Sequence, residues 1–208
     1  MSDDAGPVVS IVDDDEALRD SLRWLLESSG YSVATYVTAE SFLAAYDPDQ
    51  AGCLVLDIRM PGMSGLELQD ELMRRGHAIP VIFVTGHGDV PTAVRAMKKG
   101  AVEFIEKPFN DQAFLALIDN VLAFDARART EAARTLSLAA RFAKLTARER
   151  EVMECIIAGK RNKEMADELC VSIKTIEAHR AKVMQKTGAG SLAELVQFAS
   201  DYRAQPRG

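Results

Sequence analysis

Four short apolar runs in this chain each end in polar residues of a particular kind. Asp13-Asp14-Asp15 follows Val8-Val9-Ser10-Ile11-Val12, and Asp57 follows Cys53-Leu54-Val55-Leu56. Thr85 follows Val81-Ile82-Phe83-Val84, and Lys107 follows Val102-Glu103-Phe104-Ile105-Glu106. Asp13, Asp14 and Asp57 supply the hard oxygen ligands that Mg2+ or Mn2+ takes, with water and phosphate oxygens completing the shell. Crowded acids repel one another, and a bound cation relieves that repulsion. A carboxylate in line with a phosphoryl group can act as nucleophile and form an acyl phosphate. Lys107 can pair with a phosphoryl oxygen as a point charge, and the Thr85 hydroxyl can donate to another. An acidic triplet alone usually marks a solvated loop. Acids, a hydroxyl and a lysine at successive run ends point instead to one shared site.

Such residues meet only if the runs are neighbouring strands. Helical patterns separate them: Leu18, Leu22, Leu25 and Leu26 recur at helical spacing in Glu16 to Ser28, and Thr38 precedes a segment through Phe42 and Leu43. Further helical patterns run from Gly65 to Arg75, from Pro91 to Lys99 and from Asp111 to about Phe124, and Tyr31 to Tyr36 reads as another strand. Strand and helix thus alternate five times up to about residue 122. Short loops and right-handed crossovers make this a doubly wound α/β fold with a five-stranded parallel sheet. In such sheets ligands bind at the carboxyl ends of the strands, where the polar residues fall.

The chain has 208 residues, enough for two small domains, and its charge is unevenly spread. Residues 1–122 carry 9 Lys+Arg against 20 Asp+Glu, whereas residues 123–208 carry 16 against 11. The acidic front suits a cation site and the basic back a polyanion. Cys53, Cys155 and Cys170 are odd in number, far apart and flanked by apolar residues, so buried, reduced thiols are expected rather than a disulfide framework or zinc site. The N-terminus lacks the pattern of a secretory signal, and no apolar run approaches membrane-spanning length, so a cytoplasmic protein without a membrane partner is expected.

Residues 124–141 are rich in Ala and Arg and contain neither Gly nor Pro, which predicts a helical linker, either a solvated connector or a dimer stalk. Four short helices are expected after it. Thr146 and Glu149 have capping-box spacing, as do Ser191 and Glu194; Asn162 and Ser172 are expected to cap the second and third helices. The Leu169-Cys170-Val171 turn fits a helix-turn-helix. In the third helix Ile173, Ile176, Val183 and Met184 are expected to face the core, with Lys174, Glu177, Arg180, Ala181 and Lys182 outward. Small Ala178 and Ala181 beside basic groups let a helix sit deep in a major groove.

The motifs Ile11-Val12-Asp13-Asp14-Asp15-Glu16, Leu56-Asp57-Ile58-Arg59-Met60-Pro61-Gly62, Val84-Thr85-Gly86-His87-Gly88-Asp89 and Glu106-Lys107-Pro108-Phe109 resemble those of response-regulator receiver domains, with the fourth-strand stretch most similar to FixJ-type regulators. The segments Leu145 to Val152, Gly159 to Ala166 and Ser172 to Arg180 look like the LuxR/NarL/FixJ-type DNA-binding domain. The resemblance implies a flavodoxin-like receiver over 1–123, the linker over 124–141, and an all-α four-helix helix-turn-helix domain over 142–208. It implies Asp57 as phosphoacceptor, Asp14 as a direct metal ligand, Asp13 acting through water, and the Arg59 carbonyl as a third protein ligand. Thr85 and Phe104 fall on the family's switch pair; Phe104 stands where many receivers have Tyr, so it can repack but cannot hydrogen-bond. The Lys107-Pro108 bond matches a position that is cis in the family. In the third helix, Lys174, Thr175, His179 and Lys182 are implied backbone contacts, with Glu177, Ala178 and Arg180 near base edges.

The resulting expectation is a transcription factor phosphorylated on Asp57 by a sensor histidine kinase, switched through Thr85 and Phe104, dimerising near Arg95, Lys98 and Glu103, and binding double-stranded DNA to act on RNA polymerase. It takes part in its own phosphorylation and dephosphorylation but is not otherwise an enzyme. Two alternatives are a DNA-binding regulator that uses its receiver only to dimerise, and a Mg2+-dependent phosphatase of small phosphoesters. No substrate-binding insertion interrupts the compact front half, which disfavours the phosphatase.

Overall fold

The computed structural model describes residues 6–86 and 90–203, so His87-Gly88-Asp89 of the fourth-strand motif lies outside the described residues. The chain divides into two compact units, 1–128 and 129–208. The first alternates β1 (Val8–Val12), α1 (Glu16–Ser28), β2 (Ser32–Tyr36), α2 (Ala39–Ala45), β3 (Gly52–Leu56), α3 (Gly65–Arg74), β4 (Val81–Thr85), α4 (Val90–Lys98), β5 (Glu103–Glu106) and the start of α5 (Asp111–Ala143). All strands are parallel, in the order β2-β1-β3-β4-β5. The apolar runs form strands because both faces of the sheet are covered. Val12, Leu54, Leu56 and Phe83 point toward Phe42 of α2, Leu68 and Leu72 of α3, and Ala96 of α4. Val9, Ile11, Val55 and Val84 pack on Leu22 and Leu26 of α1 and Phe114 and Ile118 of α5.

Local chemistry sets the helix starts near the sheet's carboxyl edge. Asp15 caps α1, accepting from the N–H groups of Ala17 and Leu18. Ser64 caps α3, and Glu67 answers with a reciprocal bond to the Ser64 N–H.

The second unit holds the end of α5 with α6 (Ala147–Ile157), α7 (Asn162–Glu168), α8 (Ile173–Thr187) and α9 (Leu192–Arg203). Its core joins Leu138 and Phe142 of α5 to Val152 and Ile156 of α6, Met165 of α7, Ile176 and Val183 of α8, and Leu195 of α9. The capping box of Thr146 and Glu149 and the Ser172 cap form as expected.

Other local expectations need correction. Arg161 rather than Asn162 stands at the N-cap of α7, where Glu164 accepts from the Arg161 N–H at 2.6 Å. The Glu194 N–H reaches Ser191 Oγ, but the Glu194 carboxylate accepts from Gly190 rather than Ser191, so only half a box forms. Cys53 and Cys155 are buried, but Cys170 is exposed in the turn before α8, at φ 53°. Ile173 is 46% exposed because, in the first turn of α8, it lies beyond the reach of the core.

Candidate functional site

Asp13, Asp14, Asp57, Arg59, Thr85 and Lys107 line a single cavity of 290 Å³ at the carboxyl end of β1, β3 and β4. Strand register brings them together: Val12 pairs with Leu56, and Leu56 with Phe83, so the residues after β1 and β3 emerge beside the end of β4. Asp13 and Asp57 are buried, at 4% and 8% exposure. The Lys107 ammonium lies between them, 3.1 Å from Asp13 Oδ2 and 3.5 Å from Asp57 Oδ1. Burial pushes the Asp13 carboxyl above its usual range, and nearby Asp57 adds to this. The Asp15 N–H and Lys107 pull the other way without prevailing.

Each group is held in place. Asp57 Oδ2 accepts from the Arg59 N–H at 2.8 Å, Asp13 Oδ1 accepts from the Asp15 N–H at 2.9 Å, and Arg19 Nη1 donates to the Asp13 carbonyl at 2.8 Å. Thr85 is 1% exposed, and its carbonyl accepts from the Lys107 N–H at 3.0 Å. The Lys107-Pro108 peptide is cis. Gly65 is required by close approach: a Cβ there would lie 2.1 Å from the Asp57 carbonyl oxygen. Sequence reasoning did not single out Arg19 or Gly65, since neither carries reactive chemistry. Phe104 lies outside the cavity, half-buried, with its ring 6.4 Å from that of Phe83.

Among the described residues no three His, Cys, Asp or Glu side chains converge as a metal cage, and Asp14 is exposed at the cavity edge. Mg2+ does not need such a cage, because it binds through one or two carboxylates and keeps several waters. Two buried carboxylates sharing one ammonium leave negative charge that a hard cation would offset, so the donor set fits such an ion.

In the second unit α7, the Leu169-Cys170-Val171 turn and α8 form a helix-turn-helix. Arg148 bonds the Leu169 carbonyl, and the Val171 N–H reaches the Ala166 carbonyl at 3.0 Å. Lys174, Glu177, Ala178, Ala181 and Lys182 are exposed on α8, whereas Thr175, His179 and Arg180 are half-buried. The Thr175 hydroxyl meets that of Ser172 at 2.8 Å, and His179 Nδ1 is buried without a hydrogen-bond partner. Beneath α8, Glu149 is 3% exposed and bound at 2.6 Å by Lys186. That hydrogen bond and the Thr146 N–H hold the Glu149 carboxyl down at about 2.

The "Response regulator receiver domain" family matches residues 9–119, and the "Bacterial regulatory proteins, luxR family" matches residues 143–199. The chain belongs to the response regulators that join a receiver to a luxR-type DNA-binding domain. It is 50% identical to the transcriptional regulatory protein FixJ of Azorhizobium caulinodans, over 92% of this chain and 90% of that one. The solved structure of the response regulator StyR superposes with a TM-score of 0.90 at 46% identity, covering 95% of this chain and 100% of StyR. Full-length FixJ from B. japonicum gives 0.59 at 44% identity, covering 96% and 98%. This response regulator is therefore a two-component transcriptional regulator with an α/β receiver and a helical DNA-binding domain, not a classical enzyme. Among its described residues no helix is long and apolar enough to cross a membrane.

Proposed function

We propose that a sensor histidine kinase phosphorylates this regulator on Asp57 in the cytoplasm. The observation that carries the reading is the Lys107 ammonium set between buried Asp13 and Asp57, in one cavity with Thr85. An Asp57 oxygen attacks phosphorus, the P–N bond of the kinase's phosphohistidine breaks, and the imidazole leaves with the electron pair. Asp14, Asp13 acting through water, Asp57 and the Arg59 carbonyl would hold Mg2+ or Mn2+. Such an ion, when bound, neutralises the charge of the phosphoryl oxygens. Lys107 pairs with one of those oxygens and Thr85 donates to another.

Thr85 then moves toward the phosphoryl group and Phe104 repacks beside Phe83. The altered face carries Arg95, Lys98 and Glu103 into a two-fold dimer. Paired α8 helices enter successive major grooves: Lys174, Thr175, His179 and Lys182 hold phosphates, while Glu177, Ala178 and Arg180 lie near bases. Bound DNA places the dimer where it acts on RNA polymerase. Labelled acetyl phosphate tests the first step. With Mg2+ the wild-type chain should acquire a base-labile phosphate, and Asp57→Asn should acquire none. Equal labelling of both would overturn the assignment.

A further inference from the structure

The C-terminal end of α8 is gripped from two sides. Arg141, in the last turn of α5, donates through Nη1 to the Thr187 carbonyl at 3.3 Å. Lys186, the preceding residue, reaches back to Glu149 of α6 at 2.6 Å. Thr187 is the last residue of α8, and Gly188 follows in the left-handed conformation, at φ 72°. The last carbonyls of a helix have no partner within it, and a cation there also meets the negative end of the helix dipole. Arg141 supplies both the donor and the charge. The guanidinium lies close to the residue that ends α8, since a Cβ on Gly188 would stand 3.1 Å from its Nη1.

The end of α5 is itself fixed within this unit. Leu138 and Phe142 are buried in its core, Phe142 stacks on Tyr202 of α9 at 4.8 Å, and Arg134 pairs with Asp201 at 2.6 Å. At the other end of α8, Ser172 caps the first turn and Arg148 holds the Leu169 carbonyl just before it. Val183 and Ile176 are buried on the inner face of α8, between these two held ends.

We infer that Arg141 is a positioning residue for DNA binding: it fixes the tilt of α8 through the Thr187 carbonyl without touching DNA. The inference rests on the reading of α8 as the helix that enters the groove.

The test uses the full chain with Mg2+ and acetyl phosphate, and a duplex that the wild-type chain selects from a random-sequence pool. Arg141→Met should weaken binding about three- to tenfold, the range that one typical net hydrogen bond is worth. Arg141→Lys, which keeps a donor and the charge, should recover most of the loss. The slope of log affinity against log salt should stay unchanged for Arg141→Met, whereas removal of a phosphate contact lowers it by about 0.9. Melting curves give the folded fraction at the assay temperature. Three results would each overturn the inference: unchanged affinity, a shallower salt slope, or a loss that the unfolded fraction alone accounts for. Failure of the wild-type chain to select any duplex would count against the DNA-reading role of α8 itself, and so is distinguishable.

Discussion

Lys107 does at the resting site what a bound cation would do: it offsets two carboxylates taken out of water. The raised affinity of Asp13 for its proton has a direct consequence. In the proposed site a proton would compete with the metal at this carboxylate, and because Asp13 holds its proton above the ordinary value of 3.8, that competition would begin at higher pH. Mg2+ affinity, followed by calorimetry, should fall on acidification with a midpoint above that value, and Asp13→Asn should lose this component of the pH dependence. Gly65 offers a second test of placement. A methyl group there has only 2.1 Å to the Asp57 carbonyl oxygen, so Gly65→Ala must push α3 away from β3. Overpacking of this kind costs about 1–3 kcal/mol. Denaturant melts should show that loss together with slower labelling of Asp57 by acetyl phosphate. The reactive residues were legible in the sequence because each ends an apolar run. Their supports were not: Arg19 reaches back from α1 to the Asp13 carbonyl before the helix begins, and the tightness at Gly65 depends on how α3 meets the end of β3.

Among the elements, the strands were the most legible, since a sheet covered on both faces needs continuous apolar runs. The end of α5 was legible as helix, because no Gly or Pro interrupts Asp111–Ala143, but not as part of a core. Leu138 and Phe142 pack against residues far along the chain, and local spacing holds no record of those partners. Leu138→Ala should therefore cost about 2–4 kcal/mol in the melting of the second unit, as a core truncation does and a solvated connector would not. Ile173 and Cys170 mark the opposite error, apolar residues left at the surface by the first turn of α8 and the turn before it. The contact between α6 and α8 through Glu149 and Lys186 makes its own prediction. The Glu149 carboxyl titrates at about 2 in the folded chain against an ordinary value of 4.5. A depressed acid stabilises the fold fully above its unfolded value and loses that effect as pH falls toward the folded one. Glu149→Gln should lower the melting temperature at neutral pH, and the gap to wild type should close between about pH 4.5 and pH 2.

The whole molecule joins an acidic receiver to a basic luxR-type DNA-binding unit. Its charge division, 9 bases against 20 acids in front and 16 against 11 behind, foreshadowed that pairing from sequence. The coupling itself is most directly read from DNA affinity with and without a phosphodonor, measured on the wild-type chain and on Asp57→Asn. The proposed switch predicts that acetyl phosphate and Mg2+ tighten operator binding by the wild-type chain and leave the variant unchanged. Equal tightening in the variant, or none in a wild-type chain shown to carry the phosphate, would contradict it.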